Sequence, residues 1–339
     1  MNKILINTHK KENIELLKVR DYFFDKARFQ NRIKLALLIF PIIVAFVLAF
    51  FAKNDFVGKF KDIIVGAITL VSFIPIYIVN KSIANNVSIS NTFREEYDVR
   101  VLELPRNEYA YDYSVLDTYK NIKEKEKYID PKHRFGKKYE YWYEEIFSEN
   151  LNDNTICCQM DNVIYTYFAY KSYRKVLTIG LIATLVIATG LALGASIAFN
   201  DYVSFFLCGV IAIIPLLQMF VESIITSTEL VNNNIHLKDM ILNQKEPLST
   251  NQLRMLQDII ITNRDNSLFI SRRIRNHFLK DGSQYYKDLA EIKEKFLKED
   301  QVSIPSSSDD IEVLSLNGEK TTTLTEVQNR LTAMLSNVI

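Results

Sequence analysis

The sequence predicts a mainly α-helical membrane protein with four transmembrane helices in two hairpins and mostly helical soluble regions in the cytoplasm. Its 339 residues contain four uncharged apolar runs, separated by polar segments rich in charge. The runs are residues 35–52, 63–79, 176–199 and 202–221. A helix of ~20 apolar residues crosses the ~30 Å hydrocarbon layer of a bilayer. A soluble core does not require four such runs, so a simple soluble globular domain is excluded.

The apolar runs come in pairs, which predicts two helical hairpins. Only Asn200 and Asp201 separate the last two runs, and this connection suits a tight hairpin. The first two runs are shorter and, taken alone, also fit buried soluble helices. The first run is not typical of a cleaved signal peptide, because its charged lead is long and Phe50-Phe51-Ala52 lacks the small residues that a peptidase needs.

The basic residues predict the orientation of the chain. Residues 1–34 carry nine Lys and Arg against four acidic residues, whereas the loop Lys53–Asp62 carries three lysines and two acids. Lys171, Arg174 and Lys175 lie just before the third run. Because cytoplasmic loops carry an excess of Lys and Arg, we expect both termini and the middle region on the cytoplasmic side.

The chain is therefore divided into six segments. They are a cytoplasmic N-terminal helix (1–34), hairpin 1 (35–79), a cytoplasmic middle region (80–175), hairpin 2 (176–221), a cytoplasmic C-terminal helical region (222–302) and a flexible tail with a short terminal helix (303–339). Within the C-terminal region, Pro247 predicts a break between helices, and Ser249 or Thr250 is expected to cap the second one.

The two halves of the chain resemble each other weakly. Tyr22-Phe23-x-x-Lys26 precedes the first span and Tyr167-Phe168-x-x-Lys171 precedes the third, while Pro75 and Pro215 lie in the second and fourth. A parallel internal repeat explains this similarity, and chance is the alternative, because aromatic and basic residues are common at membrane borders. Each proline is a candidate hinge or a static kink.

Small residues recur every four positions in hairpin 2. They are Gly190, Gly194 and Ala198 in the third span, and Ser204, Cys208 and Ala212 in the fourth. Such stripes allow helix backbones to approach closely in lipid. They predict either packing of the hairpin on itself or a contact between protomers of a homo-oligomer.

The sequence carries no recognisable catalytic motif. The spans contain no Asp, Glu, Lys, Arg or His, which argues against an ion-coupled transporter. Motifs for zinc, for a phosphate-binding loop and for a serine nucleophile are absent, so we expect no enzyme, no metal and no cofactor. Cys157 is more readily interpreted as a structural cysteine than as a nucleophile. The net charge of +1 argues against DNA as a partner.

Two cytoplasmic clusters are candidate ligand-binding sites. Trp142, Gln159 and Asn162 combine an aromatic ring with amides, and these groups stack on nucleobases and bind their edges. The alternative for this region is an interfacial aromatic belt leading into the third span. Arg264, Arg272 and Arg275 suit phosphates, or else form a solvated or lipid-facing basic helix face.

These features together resemble the SMODS-associated four-transmembrane effector family of bacterial CBASS anti-phage systems. The resemblance covers about residues 10–280 and is specific in order and topology. It is carried by four stretches: Leu17-Lys-Val-Arg-Asp-Tyr22-Phe-Phe-Asp-Lys26-Ala-Arg28, then Trp142-Tyr143 before Cys158-Gln159-x-x-Asn162, then Tyr170, and Leu256-Gln257-Asp258-x-Ile260-x-x-x-Arg264. The acidic tail after about residue 285 has no counterpart.

The resemblance implies a function that composition does not reveal. Members are similar to effectors of the bacterial inner membrane that bind a cyclic oligonucleotide made by a partner cyclic-nucleotide synthase. Binding is expected to assemble the spans and permeabilise the lipid bilayer, so that the infected cell dies before the phage matures. A channel or transporter with a non-nucleotide trigger, a membrane-anchored scaffold and a membrane enzyme are the alternatives.

Overall fold

The fold was analysed in a computed structural model of the chain. The structure describes residues 3–50, 55–109, 111–121, 143, 150–198, 202–244, 247–266, 269–270 and 283–297. The predicted tail, 303–339, lies outside the described residues.

The described residues are helical apart from short turns and connections, which confirms the mainly α-helical prediction. In chain order the helices are α1 (Lys3–His9), α2 (Lys11–Phe50), α3 (Asp55–Leu102), α4 (Ser114–Asn121), α5 (Leu151–Ala198), α6 (Tyr202–Leu242), α7 (Thr250–Asp265) and α8 (Ser283–Leu297). The predicted break at Pro247 is correct. Ser249 caps α7, and a capping box with Gln252 satisfies backbone groups at its first turn.

Four of the helices are much longer than a bilayer is thick. α2 and α6 contain 40 and 41 residues, and α3 and α5 contain 48 each. At 1.5 Å per residue these helices measure roughly 60–70 Å, about twice the hydrocarbon thickness. The predicted soluble helices and the predicted spans are thus parts of the same continuous helices.

Two described stretches, Ile63–Leu102 and Ala212–Leu242, are long and apolar enough to cross a membrane by length and composition. The uncharged part of the first ends at Val79. Several large apolar side chains there are more than 60% exposed, among them Leu70, Val71 and Ile74. A contiguous apolar surface of this kind suits lipid better than water. The count of four spans and the internal repeat stay predictions.

The long helices pair as predicted: α2 packs along α3, and α5 packs along α6. α6 also contacts both helices of the first pair. Pro75 and Pro215 lie inside α3 and α6 without interrupting them, as Pro41 does in α2. The hinge assigned to Pro75 and Pro215 stays a prediction.

Beyond the apolar stretches, the helices converge on a large hydrophobic core, and Tyr170, Leu230 and Val231 form a smaller cluster. The fully buried side chains of the large core come from most of the helices, and they include Ile4, Leu17, Tyr97, Met160, Ile164, Ile241, Leu253 and Ile292. α8 closes this core over the end of α6. Lys295 Nζ donates to the carbonyls of Gln244 at 2.8 Å and Ile241 at 3.2 Å, and so binds backbone oxygens at and just beyond the C-terminal end of α6.

The close approach of helices within hairpin 2 occurs at Gly180, which the sequence did not single out. A Cβ built on Gly180 would lie 3.0 Å from Phe220 Cε1 and 3.3 Å from Cζ. Gly190 is exposed, and a Cβ there would meet no described atom within 4 Å. Ala212 is buried, whereas the side chains of Gly194, Ala198, Ser204 and Cys208 lie outside the described set. Contact between protomers through this stripe stays a prediction.

Gly180→Leu should destabilise hairpin 2, because the new side chain must displace the Phe220 ring. Overpacking of this kind typically costs ~1–3 kcal/mol. The thermal midpoint of the purified protein in detergent should therefore fall. Gly190→Leu is the matched control, since its side chain has open space and leucine favours the helix more than glycine does, so its midpoint should stay at or above the wild-type value. Equal midpoints for the two variants would contradict the assigned close approach.

Candidate functional site

A buried carboxylate, Asp98, organises the polar side chains at the junction of α3, α5 and α7. Asp98 lies about 19 residues beyond the uncharged stretch of α3, roughly 28 Å along the helix, and it has no solvent exposure. Arg94 Nε donates to Asp98 Oδ2 at 3.2 Å within α3. Arg264 Nη1, from α7, donates to the same oxygen at 2.8 Å.

Two neutral side chains complete the coordination of this carboxylate. The Tyr143 hydroxyl donates to Asp98 Oδ1 at 2.9 Å, and Gln257 Nε2 donates to Oδ2 at 3.0 Å. Burial alone would raise the pKa of Asp98, but the charges of Arg94 and Arg264 outweigh it, so the pKa lies below its ordinary value. Arg94, Asp98, Tyr143, Gln257 and Arg264 form what we call the Asp98 network.

A second buried ion pair runs beside the Asp98 network. Arg254, on α7, contacts both Glu95 of α3 and Asp258 one turn further along its own helix. Burial raises the pKa of Glu95 to about 7, although the charge of Arg254 opposes the shift. Gln257 joins the two groups, because its Nε2 also lies 3.3 Å from Glu95 Oε2.

The structure brings together three of the six predicted ligand-binding residues. Gln159 Nε2 donates to Gln257 Oε1 at 3.2 Å, Asn162 Oδ1 accepts from Arg94 Nη2 at 3.5 Å, and Arg264 binds Asp98. Each therefore contacts the Asp98 network or belongs to it. Trp142, Arg272 and Arg275 lie outside the described residues.

The predicted residues are only partly accessible in this conformation. Gln159 has no solvent exposure, so it meets a base only if the network opens, and its role stays a prediction. The Arg264 side chain is 18% exposed. Its Nη2 is buried and makes no hydrogen bond within the described part of the chain, and the same holds for Gln159 Oε1. A buried donor without an acceptor costs ~1–3 kcal/mol, so the closed arrangement is imperfect.

The sequence reading did not single out Asp98, Arg94, Glu95 or Arg254. A signal was present, because Arg94 and Asp98 are spaced by four residues, as are Arg254 and Asp258, and this spacing places opposite charges on one helix face. On a surface helix such pairs are merely solvated, and only packing of α7 against α3 buries them.

The surroundings of the two adjacent cysteines do not favour a nucleophile. Cys157 and Cys158 are buried, and burial raises the pKa of Cys157 to about 11, which disfavours a thiolate nucleophile. Among the described residues, no group of three or more His, Cys, Asp or Glu side chains is arranged to hold a metal ion.

The raised pKa of Glu95 predicts a pH-dependent stability. Between its ordinary value of 4.5 and about 7 the folded protein binds the extra proton, so this stabilisation is complete below pH 4.5 and is lost as the pH rises through 7. The thermal midpoint should fall across this window, and Glu95→Gln should flatten the fall. The exposed Glu12→Gln is the control and should keep the wild-type slope. An unchanged slope in Glu95→Gln would contradict the assignment.

The family of the chain follows from a comparison with known families. The model of the SMODS-associating 4TM effector domain matches residues 2–286, most of the chain. No curated protein and no solved structure matches the chain. The matched region contains all the helices that build the Asp98 network, and it agrees with the resemblance found in the sequence. The chain belongs to the SMODS-associating 4TM effector family.

Proposed function

We propose that this protein is an inner-membrane effector of a bacterial anti-phage signalling system, activated by a cyclic oligonucleotide to assemble and permeabilise the membrane. Family membership supports a SMODS-linked effector. The observation that carries the proposal is the Arg264 guanidinium, which is bound to Asp98 through Nη1 and lacks an acceptor for its buried Nη2 within the described residues.

A phosphodiester is the ligand that best supplies a hydrogen-bond acceptor to the Arg264 guanidinium. Arginine binds phosphate oxygens in a bidentate manner, and charged hydrogen bonds are stronger than neutral ones. A phosphate that displaces Asp98 from Arg264 keeps the positive charge compensated and also supplies the missing acceptor. Asp98 retains Arg94, Tyr143 and Gln257 as partners, so the exchange leaves no bare carboxylate.

Ligand binding at this position acts on the membrane because the helices are continuous. Asp98 and the uncharged stretch 63–79 belong to the single helix α3, so a shift of α7 against α3 changes how the membrane part is supported. A ligand that binds the open state more tightly shifts the population toward it. The exposed Gly190 face then offers a surface on which protomers assemble in lipid.

The proposed orientation agrees with the source of the ligand. A cyclic-nucleotide synthase acts in the cytoplasm, and the basic bias of residues 1–34 supports an orientation with the Asp98 network on that side. The partners in this account are the synthase product, the lipid bilayer and further copies of the chain. The protein performs no catalysis of its own.

Dye release from liposomes tests the proposal. Reconstituted wild-type protein should release dye with at least one member of a panel of cyclic di- and trinucleotides. Arg264→Gln should raise the required concentration about tenfold or more, because a charged hydrogen bond contributes ~1.5–3 kcal/mol. Arg28→Gln, which removes a guanidinium bound to Asp25 outside the network, should respond like wild type.

Three results would contradict the proposal. They are sealed liposomes with every nucleotide, a wild-type threshold in Arg264→Gln, and leakage that is independent of nucleotide. The last result would favour a channel with a different trigger. Circular dichroism of each variant in detergent separates a weakened ligand contact from a lost fold.

Assembly through the small-residue stripe makes a separate prediction. Gly190→Leu should retain nucleotide binding but release less dye, because its side chain obstructs the close approach of helices from two protomers. Cross-linking in liposomes should show fewer oligomers for this variant. Full dye release by Gly190→Leu would show that the small-residue stripe is not needed for assembly.

A further inference from the structure

A cleft of about 480 Å³ opens beside the C-terminal end of α3, at a place that the Asp98 network does not use. Its lining residues all come from the connection between α3 and α4, and they are Arg106, Glu108, Tyr109, Tyr111, Asp112 and Tyr113. The cleft is open to solvent on its outer side, so a planar ligand would stack on its side chains and would not be enclosed. Three tyrosines and one arginine within eight residues place several planar side chains along one side of the cleft.

The connection that forms the cleft is fixed at its start. α3 ends in a Schellman motif, in which the Leu104 N–H donates to the Val99 carbonyl at 3.1 Å and Glu103 takes a left-handed conformation with φ 52°. A glutamate in place of the usual glycine is explained by its side chain, which lies 3.5 Å from both Lys3 Nζ and Asn7 Nδ2.

The rest of the connection is tied to α7 and α4. Arg254 Nη1 donates to the Pro105 carbonyl at 3.1 Å, and Asn107 Nδ2 donates to Asp258 Oδ2 at 3.1 Å. Asp112 Oδ1 accepts from the Ser114 N–H at 3.0 Å and so caps α4. The cleft is therefore preformed, which lowers the cost of ordering it on binding.

The aromatic faces of the cleft are arranged for stacking. The Arg106 guanidinium lies 5.2 Å from the centroid of the Tyr113 ring and is held there by Glu96, whose Oε2 is 3.0 Å from Arg106 Nε. Tyr111 packs edge-on against Tyr113, and Tyr109 is fully exposed at the rim. Nucleobases stack on both tyrosine rings and arginine planes.

The Tyr113 hydroxyl is turned away from solvent. Its oxygen is buried, and the Asn107 backbone lies close to it. Burial and the charge of Glu95 raise the pKa of Tyr113 to about 12, so the hydroxyl stays neutral near pH 7, and the ring is the part that the cleft offers for stacking.

The charges of the cleft favour a base over a phosphate. Arg106 is the one cation among the lining residues, and Glu96 already neutralises it. Glu108 and Asp112 add two carboxylates, which repel phosphate but accept hydrogen bonds from the amino groups of a base. We propose that this cleft binds one base of the activating nucleotide by stacking on its tyrosines and Arg106, an inference that rests on the proposed function.

The cleft and the phosphate position are connected through α7. Arg254 binds the Pro105 carbonyl at the cleft and the buried Glu95 beside the Asp98 network. A base that binds in the cleft can therefore shift α7, the helix that carries Arg264. Base binding and release of the Asp98–Arg264 contact both involve α7.

Equilibrium dialysis of the full-length protein in detergent tests the site. The probes are radiolabelled cyclic di-AMP, cyclic di-GMP, cyclic GMP–AMP and cyclic tri-AMP. Tyr109→Ala and Tyr113→Ala should each raise the dissociation constant of the bound probe about 5- to 150-fold, the range for loss of one stacked base. Tyr113→Phe, which keeps the ring, should raise it less. Tyr286→Ala, an exposed tyrosine on α8, is the matched control and should bind like wild type.

Ultraviolet cross-linking of the bound probe to wild-type protein gives a second readout that does not depend on folding of a variant. Cross-links should map to the peptide containing residues 106–113. If a probe binds wild type but cross-links only elsewhere, or if Tyr109→Ala and Tyr113→Ala both keep the wild-type dissociation constant, the cleft is not the base site, whereas the proposed function stands. If no probe binds wild type, both are overturned.

Discussion

Burial of the Asp98 carboxylate is the constraint on which the rest of the structure depends. A charge without solvent must be paired and hydrogen-bonded, and Asp98 satisfies this only where α3 and α7 meet beside Tyr143. Removing one partner from such a buried pair typically costs ~3–5 kcal/mol. The helix junction is therefore specified by polar geometry, while the surrounding hydrophobic core supplies non-directional stabilisation.

This junction sits at one end of helices whose other ends are apolar and exposed. Along the 63–79 stretch of α3 most large side chains are exposed, and the buried side chains of Val65, Thr69 and Ser72 mark its inner face. The buried charges thus position the long helices. The proposed ligand acts on these charges, at the junction of α3 and α7. Among the described residues Arg264 Nη2 has no acceptor, which leaves the closed state less than optimal, so a modest difference in ligand affinity shifts the population.

The sequence predicts the helices, the two hairpins and the Ser249 cap well, since these depend on local apolar runs and local hydrogen bonds. It also selects Gln159 and Arg264, which meet at the Asp98 network. It does not reveal Asp98 itself, because the burial of Asp98 depends on Arg264, 166 residues away. Gly180 is missed for the same reason, since only Phe220 makes its size matter. The tyrosine cleft escapes notice because its residues follow no helical or strand period.

In the proposed function, α7 must separate from the α3 junction before the membrane is breached. Asn91 Nδ2 lies 2.6 Å from Asp265 Oδ1, so cysteines at these two positions in a background without Cys157, Cys158 and Cys208 allow α3 and α7 to be joined by a short reducible cross-linker. In liposomes with an activating nucleotide, the joined protein should release no dye until a reductant is added. Dye release at the full rate while the cross-link is intact would contradict the account.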